Sequence, residues 1–76
     1  MAKFRIKVDE RTGVTYFPKV IRQEGFIGEI EGIPNAFTFT LIKPGTALVD
    51  AAKSLKLVLQ DIELRLQDQD NRDKYE

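Results

Sequence analysis

The stretch Val14-Thr15-Tyr16-Phe17-Pro18-Lys19-Val20-Ile21-Arg22-Gln23-Glu24-Gly25-Phe26 decides how the chain is read. Its first four residues are β-branched or aromatic, types that suit a pleated, half-buried surface, and they predict a strand. Pro18 then stands where a helix tolerates a missing N–H, and Gly25 where a helix is released, so residues 18–24 are expected to form a helix of about two turns. A helix that short does not persist alone in water and has to pack on something.

Upstream, Lys3 to Val8 alternates strictly, with Lys3, Arg5 and Lys7 on one face and Phe4, Ile6 and Val8 on the other, the pattern of a half-buried strand. The polar run Asp9-Glu10-Arg11-Thr12-Gly13 joins it to Val14–Phe17 as a hairpin with a loop longer than two residues. Gly13 is expected to take a positive φ, and Asp9 to hydrogen-bond nearby backbone rather than act in catalysis. Downstream, Phe26 to Ile33 reads as a second strand region, Pro34-Asn35 as a turn, and Ala36 to Lys43 as an antiparallel strand with Phe37, Phe39 and Leu41 on one face. Pro44-Gly45 closes this part of the chain.

From Thr46, a helix-capping residue, to about Gln67 no proline or glycine interrupts a helical pattern, and Asp50 lies near its positive end. Leu48, Ala52, Leu55, Leu59, Ile62 and Leu66 recur at alternating steps of four and three, which are heptad a and d positions, with Val58 and Leu64 read as broadening the stripe. That face is expected to pair between subunits; packing against its own protomer is the other solution. Residues 68–76 are polar, with Tyr75 the one residue to bury, and are expected to fray. The organisation is therefore residues 1–45 as one domain, 46–67 as an amphipathic helix for oligomerisation, and 68–76 as a tail.

A chain of 76 residues, 42% hydrophobic and 32% charged, has room for one small core. Folds of this size bury only about 60% of their unfolded surface and generally need disulfides, a metal or a partner subunit. With no cysteine and no histidine, disulfides are excluded and a metal site could draw only on carboxylates and carbonyls, which suit calcium or magnesium rather than zinc, so oligomerisation is the staple left. No metal or cofactor is expected. The same composition removes the usual nucleophile-and-base pairs: Ser54 is the one serine and lies on the long helix. Gly25, Gly28 and Gly32 match no nucleotide-binding fingerprint. Catalysis is not expected. No apolar run is long enough for a signal or membrane segment, and the chain is read as cytoplasmic, with no membrane partner.

The formal charge is zero, yet the charges are unevenly placed. Residues 1–22 hold Lys3, Arg5, Lys7, Arg11, Lys19 and Arg22 against Asp9 and Glu10, whereas the rest of the chain is acidic on balance. Same-face cations on a strand lie roughly 6 to 7 Å apart and repel unless an anion relieves them. A phosphate backbone would do so, and a solvated strand edge guarded by charge against aggregation is the plainer alternative. Lys19 and Arg22, three apart on the short helix, project together.

The string Lys7-Val8-Asp9, Gly13, Phe17-Pro18-Lys19-Val20-Ile21-Arg22, Gly25-Phe26 and Gly28 resembles the signature of AbrB/SpoVT-like DNA-binding proteins. Asn35-Ala36-Phe37-Thr38-Phe39 followed by Lys43-Pro44-Gly45 is similar to that family's second hairpin and exit. The resemblance covers roughly residues 3–45. It departs in a loop between Asp9 and Gly13 one residue longer, a segment between Arg22 and Gly25 one shorter, and Val14 where many relatives carry arginine. It implies a mostly β fold with a short helix, in which two protomers exchange hairpins into one interleaved, swapped-hairpin β-barrel, plus here a long C-terminal α-helix. It also implies a homodimeric regulator of transcription that offers Lys3, Arg5, Lys7, Arg11, Lys19 and Arg22 to double-stranded DNA. An antitoxin that covers a toxin partner and autoregulates through DNA is a second reading, and an assembly module with no nucleic-acid role a third.

Overall fold

The computed structural model describes the backbone of residues 2–75 and the side chains of residues 2–70. In chain order the elements are α1 (Lys19–Gln23), β1 (Glu31–Pro34), β2 (Phe39–Ile42) and α2 (Leu48–Tyr75). The chain divides into a unit Ala2–Gly45 and a second unit from Thr46.

The first reversal of the chain is built by Asp9. Its Oδ1 accepts the backbone N–H groups of Arg11 and Thr12 at 2.9 and 2.8 Å, which fixes the turn locally. Gly13, at φ +74°, donates to the Asp9 carbonyl at 2.8 Å, and the Asp9 N–H reaches Val14 at 2.9 Å. Both residues thus do what the sequence suggests.

The strands expected on either side, Lys3–Val8 and Val14–Phe17, reduce to one antiparallel bridge between Val8 and Thr15. Thr15 adds a hydroxyl bond to the Lys7 carbonyl at 2.6 Å. The reason lies in the register. Carried outward, the pairing sets Ile6 opposite Phe17 and Arg5 opposite Pro18, which has no N–H and begins α1, so the segment from Lys3 to Arg5 has no strand to meet in its own hairpin.

Pro18 forms the N-cap of α1, one position earlier than a place inside its first turn, with ψ 146°. Its carbonyl accepts the N–H groups of Ile21 and Arg22. The helix is five residues long, shorter than the stretch 18–24 expected, and gives way at Glu24 to Gly25.

The second strand region, expected over Phe26–Ile33, is confined to Glu31–Pro34. Gly28, at φ +76°, takes a left-handed conformation that bends the chain before the strand can begin. β1 pairs antiparallel with β2 through Glu31–Ile42, Gly32–Leu41, Ile33–Thr40 and Pro34–Phe39. Asn35–Thr38 make the connection, with the Asn35 N–H on the Thr38 carbonyl at 2.7 Å, so the strand expected from Ala36 starts only at Phe39. Gly32 permits the Phe39 ring to lie over the sheet: a Cβ there would stand 2.6 Å from the ring. At the exit of α1, the Lys43 ammonium lies 5.2 Å from the centre of the Phe26 ring and the lysine stem passes over Gly25, which ties β2 to the segment after α1.

α2 begins with the carbonyl of Ala47 accepting the N–H groups of Asp50 and Ala51, both at 3.0 Å, so the N-cap falls at Ala47 rather than Thr46. The helix continues past Gln67 to Tyr75, because no proline or glycine follows to stop it. The stretch 68–75 is helical in backbone, so the helix is longer than the 46–67 expected, while the side chain of Tyr75 and residue Glu76 lie outside the described residues. At about 1.5 Å per residue, α2 is about 42 Å long. At about 100° per residue, Val58 flanks the heptad seam, but Leu57 and Leu64 fall on the opposite side, about 160 to 180° from Leu48. Leu64 does not broaden the stripe; it belongs to another face.

Neither unit contains a buried residue among those described. The chain exposes 7306 Å². Two separate compact bodies with the masses of these units would together expose about 5,700 Å².

Candidate nucleic-acid interface

All six cations expected to meet DNA lie in the unit Ala2–Gly45 and are exposed, on three different pieces of it. Lys3, Arg5 and Lys7 occupy the extended run before the first turn. The apolar residues between them, Phe4, Ile6 and Val8, are 49%, 42% and 58% exposed, so both faces of this run are open. Alternation is therefore present in sequence while neither face is covered by the chain itself.

Arg11 sits in the turn whose backbone Asp9 fixes. The same N–H donors act on Asp9 electrostatically: the backbone N–H of Thr12, then the Thr12 hydroxyl and the Arg11 N–H, stabilise the carboxylate and hold its pKa below the ordinary value of 3.8. Asp9 consequently stays charged beside Arg11, and its task is to shape the turn that presents that arginine.

Lys19 and Arg22 lie one turn apart on α1. Arg22 also lines an open, mainly apolar cleft of about 420 Å³, formed with Thr15, Tyr16 and Phe17 on one side and Phe26, Ile27, Gly28 and Ile30 on the other. Sequence reading identified Arg22 but not this cleft. The signal available was the crowding of Tyr16, Phe17, Phe26 and Ile27 on both sides of a helix too short to cover them. A second feature that went unread is Phe37, in the β1–β2 turn and 98% exposed, a large ring held out from the hairpin.

Among the described residues the one ion pair is Asp61 with Arg65 on α2, Nε to Oδ2 3.3 Å, so none of the six cations is neutralised by a described carboxylate. No group of three or more metal-ligating side chains is present among the described residues, and no described helix is long and apolar enough to cross a membrane. The proposed seam residues Leu48, Ala52, Leu55, Leu59, Ile62 and Leu66 are all exposed along α2.

No protein-family model matches the chain, and no curated protein and no solved structure matches it.

Proposed function

We propose that the chain is a homodimeric, sequence-preferring DNA-binding transcriptional regulator of the AbrB/SpoVT swapped-hairpin kind, and a binding protein rather than an enzyme. The observation that carries this reading is the coincidence of two properties in the unit Ala2–Gly45. It has no buried residue, although Phe4, Ile6, Val8, Phe17, Phe26 and Ile30 are there to be buried, and it carries six exposed cations interleaved with those residues.

A second copy answers the first property. Its extended Lys3–Val8 run supplies the strand that Pro18 denies the first copy's own hairpin, and its apolar side chains cover the open face and the cleft beside Arg22. Exchange of that kind completes an interleaved barrel. Two copies also double the number of cations on a shared surface, where phosphates relieve the repulsion within the ladder Lys3, Arg5, Lys7. Arg11 from the turn and Lys19 and Arg22 from α1 extend the contact. The seam of α2 lengthens the homodimer interface beyond the barrel.

The test is a titration of duplex DNA, followed by fluorescence anisotropy, across a series of salt concentrations. Neutralising roughly six to ten phosphates gives a fall of log K with log salt of about −0.9 per phosphate. Binding indifferent to salt, or absent at low salt, removes the reading. If the chain instead forms a tight complex with a ribonuclease encoded beside it, the antitoxin reading takes precedence.

A further inference from the structure

α2 carries apolar residues on two opposite faces. One is the seam from Leu48 to Leu66. On the other, Leu57 and Leu64 stand two turns apart, 59% and 61% exposed. One partner helix laid on the seam leaves these two leucines bare, since faces about 180° apart do not turn toward one neighbour.

The residues around them set a direction. Lys53 precedes Leu57 by four positions, Asp68 follows Leu64 by four, and Asp61 lies between, all on one side of the helix over about 23 Å. Between Lys53 and Asp68 the face is positive at one end and negative at the other, while Asp50, one turn before Lys53 on the same side, lies beyond the paired stretch. Laid parallel and in register on a copy of itself, it sets Lys53 against Lys53 and Asp68 against Asp68. Laid antiparallel, it sets Leu57 against Leu64 twice and Lys53 against Asp68 at both ends, so these four contacts are complementary. The central Asp61 carries its own counter-charge, because Arg65 holds its carboxylate at 3.3 Å and limits repulsion near the two-fold axis.

We infer that the face Lys53, Leu57, Leu64, Asp68 of α2 is a docking surface for the same face of a second copy, in antiparallel orientation. A contact of this kind is isologous. Because it lies opposite the seam, an assembly that uses both faces does not close at two chains but continues from pair to pair. The contact rests on α2 alone, and only its growth beyond a pair rests on the homodimer proposed above.

Sedimentation velocity on the full chain over a wide range of concentration tests it. The wild-type mass should rise with concentration. Lys53→Asp and Asp68→Lys, each setting like charges together, should each abolish the rise, and the double variant K53D/D68K, which reverses both ends, should restore it. Leu57→Gln with Leu64→Gln should abolish it while circular dichroism still reports the helix. A mass independent of concentration, single variants that associate like wild type, or a double variant that stays dissociated would overturn the inference. The salt-dependent DNA titration separates the two proposals. Self-association that follows the charge swap in a chain with no affinity for DNA removes the regulator alone, and salt-dependent DNA binding by a chain of constant mass removes the docking face alone.

Discussion

The two units of the chain leave their apolar residues uncovered for different reasons. In α2 the backbone is satisfied within the helix except at its two ends, N–H groups meeting carbonyls four residues back along a run of 28 residues, and it is mainly side-chain faces that await a neighbour. In Ala2–Gly45 the ladders are a four-pair hairpin and one bridge, so backbone as well as side chains is left to be paired. The proposed dependence on a second chain is a matter of surface in the first case and of fold in the second. Substitutions therefore act differently in the two units.

The largest effect is expected from Ile6→Asp, which sets a charge among residues that the proposed partner copy buries. It should cost ~3 kcal/mol or more and abolish dimerisation of the N-terminal unit, read as mass by light scattering. The same measurement on Leu57→Gln, by contrast, should leave that dimer intact. Next come the cations proposed to face DNA. Arg5→Ala and Arg22→Ala should each weaken DNA binding about tenfold without changing mass, and the salt slope should become shallower by about 0.9 for every phosphate that is no longer neutralised. A smaller loss is expected from Gly32→Ala, whose methyl meets the Phe39 ring and should cost about 1 to 3 kcal/mol in denaturant unfolding.

The smallest effect concerns pH. Asp9 has its pKa lowered in the folded chain, so its contribution is present above the ordinary value of 3.8 and is lost as the pH falls through the lower, folded value. Melting temperatures recorded through that acid range should fall more steeply for wild type than for Asp9→Ala. If the two slopes coincide, the turn is held by Gly13 and the backbone without Asp9.

What was legible in the sequence was what neighbouring residues decide among themselves. The Asp9–Gly13 turn, the short helix between Pro18 and Gly25, the turn at Asn35 and the long helix all follow from local chemistry, and all are found. Strand extent was not legible, because a strand lasts only as far as its partner does, and Pro18 removes the partner at Arg5. α2 runs past Gln67 because its polar continuation holds no proline or glycine to stop it, and polarity alone does not mark where a helix ends. The spacing Leu57–Leu64, also visible in the sequence, places Leu64 opposite the seam rather than beside it. Of the candidate site, the six cations could be named from sequence but not their separation into run, turn and helix. The cleft beside Arg22 depends on how Phe17 and Phe26 come together and has no linear signature.

The uninterrupted course of α2 also bears on the order in which the molecule is made. Helix formation relaxes in about 0.1 to 1 μs and hairpin closure in about 1 to 10 μs, both within one chain and at any dilution. An encounter between chains has no such fixed clock and slows in proportion as the protein becomes scarce. The long helix thus reaches its own helix–coil balance before another molecule arrives, so newly made chains meet with that balance already set.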